Sequence, residues 1–419
     1  MYPRVKNTIV FIAFAIASGA MVNAQRATYT GIPTGFDFPA DQNVLLQLRD
    51  AGDTVGMRNH AWMVFAGMTQ AAPDGEAIWE TWYSAIETFR SGPAPQGRRR
   101  IQRQFQNPRQ FQSAGLHPQA AGASLLSFTL FNQELRDHVR TKQLYSQSHL
   151  SEINQGFNDA GVPLEKREIE PFPARAVALK TTWWIVKNTG LTGVPIWDGD
   201  PANGITQGND FPTWKRCIAI DPSRESIPAN ETHSVTCVGK SATTHVVALA
   251  DFYNFKISAS EISAIRKTSA IGARNAQIGD FAVLLALHYT TKEIPEWVWS
   301  TFWWHDRPDD GPYAMNRPPA VSGVWRHYLM STAFSMEAPK EGDGKPHVTF
   351  NPWLEARFVN GTVSNCMTCH RQSVWPLPDH GNEPPFLPVT RGTIGANDPN
   401  YFKGNTKLDF LWSVGFESQ

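Results

Sequence analysis

Residues 281–305 read FAVLLALHYTTKEIPEWVWSTFWWH, two apolar stretches separated by a short polar step. Phe281 to Tyr289 is a nearly continuous apolar run of strand length, which predicts a central strand covered on both faces. If Trp297 to His305 is extended as well, Trp297, Trp299, Thr301, Trp303 and His305 share one face, and Val298, Ser300, Phe302 and Trp304 share the other. The segment Asp306-Arg307-Pro308-Asp309-Asp310-Gly311 then turns the chain.

Upstream, Val177 to Val186 alternates in the same period-two sense, and His245 to Phe255 is a further candidate strand. Ser258 with Glu261 has the spacing of a capping box opening a short helix through Arg266. The pattern from Asp41 to about Arg90 is helical, with apolar residues recurring at Val44, Leu45 and Leu48, then Trp62, Phe65 and Ala66, then Trp79, Trp82, Tyr83 and Ile86. It resumes from Leu130 to about Ala160, and Val321 to Met336 also reads as a helix. The expected fold is therefore mixed α+β: N-terminal helices, a mainly antiparallel central sheet, and a C-terminal segment of irregular structure ending in a Pro-rich tail with Pro376, Pro378, Pro384, Pro385 and Pro388. A small all-helical fold is not expected.

That C-terminal segment holds Cys366-Met367-Thr368-Cys369-His370. Two thiols separated by two residues and followed at once by an imidazole read as a site for one covalent haem c, with Cys366 and Cys369 adding to the haem vinyl groups and His370 ligating the iron. A zinc half-site would need further ligands at similar spacing, and a thioredoxin-like pair would sit at a strand end in a βαβ unit rather than before a Pro-rich tail. The sixth iron ligand stays open among His305, His288, His380 and an empty position. No methionine follows Met367, so a downstream methionine ligand is not available.

The N-terminus suits covalent haem. Arg4 and Lys6 precede an uncharged run from Thr8 to Met21, and Val22-Asn23-Ala24 offers a cleavage site, so residues 1–24 read as a signal peptide and the protein as periplasmic or secreted. No later stretch is long and uncharged enough to span a bilayer. In an oxidising compartment the remaining cysteines, Cys217 and Cys237, are expected to form a disulfide. With 38 basic and 38 acidic residues, no global field favours nucleic acid. The one dense basic run, Arg98, Arg99, Arg100, Arg103 and Arg109, lies in a Gln/Arg-rich stretch that reads first as a solvated linker and second as a docking patch for an acidic redox partner. The expected organisation is 1–24 signal peptide, 25–95 helical region, 96–124 linker or loop, 125–339 α+β core and 340–419 haem segment with tail.

The chain resembles a large group of exported bacterial proteins known as cytochrome c family proteins. The resemblance rests on Ala61-Trp62-Met63-Val64-Phe65-Ala66, Trp79-Glu80-Thr81-Trp82, Leu130-Phe131-Asn132, Leu179-Lys180-Thr181-Thr182-Trp183, His288 before Trp297-Val298-Trp299-Ser300-Thr301-Phe302, Asn365 with the haem motif, and Asp409-Phe410-Leu411-Trp412. It spans most of the chain after residue 24. It implies haem c and export without a settled substrate; in that group the position of His288 is regular, whereas the histidine after Thr-Phe sits one residue earlier than His305.

Two functions follow from different classes. One is a single-electron carrier working with a redox protein partner. The other is a haem enzyme, a peroxidase or oxygenase, with an open distal site, a small-molecule substrate and Asp306, Asp309 and Asp310 near His305. The chain length and the 15 tryptophans favour the enzyme; the lack of an acid-base constellation favours the carrier. A third reading has the haem only stapling the tail to the core.

Overall fold

The expected central strand forms because its first seven residues, Phe281 to Leu287, carry no polar side chain, and a strand buried on both faces is where such a run is stable. The computed structural model describes residues 29–92, 103–107, 125–197, 211–355, 364–378 and 393–419. The signal peptide, Arg98 to Arg100, Arg109, His380 and Pro384, Pro385 and Pro388 lie outside them.

In chain order the strands are β1 (Tyr83–Ser84), β2 (Leu126–Phe131), β3 (Val177–Val186), β4 (Thr192–Ile196), β5 (Arg216–Asp221), β6 (Thr232–Cys237), β7 (Lys240–Ala248), β8 (Asn254–Lys256), β9 (Phe281–Thr291), β10 (Val298–Trp304), β11 (Tyr328–Ala333), β12 (Val374–Trp375) and β13 (Thr406–Lys407). The α-helices are α1 (Gln42–Asp50), α2 (Thr54–Met68), α3 (Ala85–Phe89), α4 (Gln133–Thr141), α5 (Gln147–Asp159), α6 (Ile262–Lys267), α7 (Cys366–His370), α8 (Pro399–Phe402) and α9 (Trp412–Glu417). The fold is mixed α+β.

The main sheet runs β1-β2-β3-β9-β10-β11, with β8 also on β9, and every pair in it is antiparallel. A smaller sheet, β4-β5-β7-β6, contains one parallel pair, and its β5 and β6 are joined by the Cys217–Cys237 disulfide. Among the described residues no helix is long and apolar enough to cross a membrane.

One face of the main sheet packs on α2. Tyr289 donates its hydroxyl to the Ala61 carbonyl at 2.7 Å, and Phe302 stacks on Phe65 with centroids 4.0 Å apart. Trp62 and Phe65 are fully buried there, and each such side chain contributes about 2–3 kcal/mol of transfer free energy. The other face takes the C-terminal segment: Ala178, Trp299 and Ala333 share a core cluster with Met367, Phe402, Phe410 and Val414, together with Leu135 and Val139 of α4.

Several local expectations are corrected. Val321 to Met336 is not a helix; a 3-10 turn at Gly323–His327 leads into β11, because Tyr328 to Ala333 can pair with β10 and bury both faces at once. Trp79 to Ile86 is a 3-10 turn, a two-residue strand and the start of α3, the last capped by Ser84 and Glu87 reciprocally. Leu130 belongs to β2 rather than to the following helix. A 3-10 turn at Leu249–Asp251 divides His245 to Phe255 between β7 and β8. The Ser258–Glu261 box is half formed: Ser258 donates N–H and hydroxyl to Glu261 at 2.9 and 2.7 Å, while α6 starts only at Ile262.

Of the basic run in the Gln/Arg-rich stretch, Arg103 lies within the described residues and is packed into the core rather than solvated. Arg103 is 9% exposed and bonds Glu80 at 2.6 Å and Glu261 at 3.0 Å, with its guanidinium 3.7 Å from the Phe255 ring. Gln106 exchanges two backbone hydrogen bonds with Ser127. Three carboxylates around Arg103, Glu76 included, give it a neutralising pocket that linear sequence does not display.

Candidate haem-binding site

The motif is a single helical turn whose entry is fixed by Asn365. Its side-chain oxygen accepts from Met367 N at 3.1 Å, and its amide nitrogen donates to the Ser335 carbonyl at 2.8 Å, tying α7 to the segment after β11. Helical spacing puts Cys366, Cys369 and His370 on one side of the turn. Met367 and Thr368 face the core and are fully buried, which leaves the three motif side chains partly open.

Cys366 and Cys369 are not bonded to each other. Burial pushes the Cys366 thiol well above its ordinary range and the Cys369 thiol up to about 12, with the Glu355 carboxylate adding to both. A redox-active or nucleophilic pair needs the opposite shift, so this environment disfavours the thioredoxin-like alternative.

His370 hydrogen-bonds the Phe410 carbonyl through Nδ1 at 2.8 Å, and its ring packs on Trp299 with centroids 4.2 Å apart. Since a carbonyl only accepts, Nδ1 carries the proton and Nε2 is a bare lone pair. Nε2 has no partner among the described residues. Burial lowers the imidazole to about pKa 4, opposed by the Phe410 hydrogen bond.

The sheet supplies the opposite wall. Register places Lys180, His288, Thr301 and Ser331 in one row across β3, β9, β10 and β11, and Ala178, Thr290, Trp299 and Ala333 in the next row on the same face. His288 is thus one strand and one row removed from Trp299, on which His370 packs. Burial holds His288 well below its usual range, and the Lys180 and His370 charges push the same way. Its side chain nevertheless keeps 25% of its surface open, and among the described residues it makes no hydrogen bond.

A loop crossing the same face completes the site. Asn351 donates to Thr301 Oγ1 at 2.7 Å and to the Phe302 carbonyl at 3.3 Å, while its own oxygen accepts from Trp353 N at 3.0 Å. This turn delivers Glu355, whose Oε1 lies 4.0 Å from His288 Nδ1. Burial raises Glu355 to about pKa 7, against the lowering effect of the Asn351 backbone hydrogen bond and the Lys180 charge.

His305 does not belong to this site. It follows the end of β10, six residues beyond Trp299, a displacement of about 20 Å at strand rise. Both its nitrogens are used: Nε2 bonds the Trp197 carbonyl at 3.0 Å and Nδ1 accepts from Arg307 N at 3.0 Å. The face shared by Trp299, Thr301 and Trp303 is real, but it leads away from the motif, and His305 terminates it as a structural group. Asp306 pairs with Arg216 and Asp309 with Arg317, so these turn carboxylates serve ion pairs.

Sequence reasoning missed Lys180, Glu355 and Asn351 as members of the site. Lys180 had a signal, a lone charge inside the buried run from Val177 to Val186. Glu355 and Asn351 had none, because the loop carrying them has no periodicity. The donor set fits a covalently held haem: two thiols and an imidazole on one helical face, and a second unbonded imidazole on the wall opposite. Among the described residues no three His, Cys, Asp or Glu side chains converge as they would around a bare ion.

Comparison with protein-family models, with curated proteins and with solved structures finds no match for this chain.

Proposed function

We propose that Cys366 and Cys369 hold one haem c covalently, that His370 and His288 are its axial ligands, and that the protein is an exported single-electron carrier working with a redox protein partner. The observation that carries this reading is the placement of His288, an imidazole without a hydrogen bond among the described residues, on the sheet face against which the motif turn packs. When bound, haem c supplies a one-electron couple, and two imidazole ligands give it a lower potential than a His/Met pair would.

The chain's own residues do the rest. The Phe410 carbonyl holds the Nδ1 proton of His370 and so presents Nε2 as a lone pair. Burial keeps both imidazoles neutral at physiological pH, the form in which they ligate. Trp299 packs against the His370 ring. The likeness to exported cytochrome c family proteins supports a periplasmic or secreted location, and the Cys217–Cys237 disulfide is compatible with an oxidising compartment.

A second reading has one observation in its favour. Glu355, raised to about pKa 7 beside His288, is a proton donor in the site, which suits a peroxidase or oxygenase with an open iron position and a small-molecule substrate. Optical spectra of the haem-loaded protein, with and without carbon monoxide, separate the two. A low-spin ferrous spectrum indifferent to carbon monoxide, which becomes responsive in His288→Ala and stays indifferent in His305→Ala, is expected. A high-spin spectrum that shifts with carbon monoxide in the unmodified protein puts the enzyme reading first. No covalent haem despite working maturation machinery removes both.

A further inference from the structure

The turn that supplies the Phe410 carbonyl is strained, and a buried ion pair holds it. Asp409 and Phe410 have φ of 46° and 66°, consecutive left-handed conformations that cost a non-glycine residue on the order of 1–2 kcal/mol each. Such a turn persists only where its surroundings over-determine it. The Asp409 carboxylate, 3% exposed, accepts from Lys292 Nζ at 2.5 Å, from Trp297 Nε1 at 3.3 Å and from Phe172 N at 3.0 Å. Lys292 also donates to the Pro295 carbonyl at 2.7 Å.

Both ends of this arrangement lead to the motif. Lys292 follows the last residue of β9, the strand that carries His288. Leu408 N donates to Ser373 O at 2.9 Å, fastening the turn to the residues just after α7. The Phe410 ring lies under the Arg371 guanidinium, 5.0 Å from its centroid. A buried ion pair adds little net stability over an apolar replacement, so its value here is to be sought in what it positions.

We infer that Lys292 and Asp409 are positioning residues for His370: the pair clamps the Asp409–Phe410 turn in its left-handed form so that the Phe410 carbonyl meets Nδ1 and fixes both tautomer and ring orientation. This rests on reading His370 as an axial ligand. Losing the acceptor weakens an imidazole as an electron donor to a metal and frees its ring.

The test uses the full-length mature protein, haem-loaded, carrying Asp409→Asn or Lys292→Met together with Asp409→Asn. The expected result is a midpoint potential shifted to higher values in both variants, more in the double one, with far-UV circular dichroism unchanged. In the haem-free full chain, ¹⁵N NMR of His370 is expected to show the Nδ1–H tautomer in the unmodified protein and a mixture in the double variant. An unchanged potential and an unchanged tautomer in the folded double variant overturn the inference. If neither variant folds, Lys292→Met with Asp409→Gly removes the clamp while relieving the positive φ, and is judged on the same two readouts. A tautomer shift in a chain that never takes up haem sustains the clamp and sinks the haem reading separately.

Discussion

Replacing Arg103 by methionine should destabilise the protein by about 3–5 kcal/mol at neutral pH, the cost of removing one partner from a buried ion pair. The geometry is unfavourable for any milder outcome. Glu80 is fully buried with Arg103 at 2.6 Å, Glu261 is 10% exposed with Arg103 at 3.0 Å, and Glu76 stands 3.6 Å away. Without the guanidinium, Glu80 and Glu261 lose the cation they share, and Phe255 loses its stacked partner. Glu80 is already raised to about pKa 7 by burial, with Arg103 as the main opposing influence, so in the variant it must rise further. A carboxyl whose folded pKa exceeds its unfolded value near 4.5 binds more protons in the folded state. Stability therefore falls with rising pH, by up to about 1.4 kcal/mol per pH unit between those two values. In the unmodified protein that loss ends near pH 7; in Arg103→Met it continues above it. Urea unfolding followed by tryptophan fluorescence at pH 6, 7 and 8.5 should show the gap between the two proteins widening upward, and Arg103→Met with Glu80→Gln should narrow it at pH 8.5. A gap below about 1 kcal/mol that does not change with pH would refute the reasoning, because it would mean water reaches Glu80 and the network is not buried.

The haem-free chain should lose stability in acid through His370. Its folded pKa of about 4 lies below the unfolded value near 6.5, so its contribution is complete above pH 6.5 and declines as pH falls towards 4, by about 3 kcal/mol, and His370→Asn should flatten that decline in a denaturant titration. Replacing Cys217 and Cys237 together by alanine removes a closure spanning 20 residues and should cost about 3 kcal/mol in the chain-entropy model, read as a lower urea midpoint against the unmodified protein. Asn351→Ala strips two donors and one acceptor from a fully buried turn and should cost about 1–3 kcal/mol; because the same turn places Glu355, the haem-loaded variant should also show an altered Soret spectrum, whereas a stability loss with an untouched spectrum would detach Glu355 from the site.

The sequence by itself determined the strands whose side chains have one solution. Phe281 to Leu287 is an unbroken apolar run of strand length that settles mid-sheet, and Val177–Val186, read with period two, forms the strand beside it. It also determined the disulfide partners, the two cysteines left outside the motif, whereas the motif segment, expected to be irregular, forms a helical turn. The apolar residues of Tyr328 to Ala333 satisfy a helical spacing as well as a strand; pairing with β10 decides it, and pairing is not written in a single segment. The choice between His288 and His305 was of the same kind. Both lie on strongly apolar segments, and only the register that aligns Lys180, His288 and Thr301 beneath the C-terminal segment shows which one shares a face with Trp299 and the motif. The roles of Glu355, Asn351, Lys292 and Asp409 came from the tertiary structure alone. Each acts on a residue tens of positions or more away, and the burial that gives each its effect is a property of the assembled core.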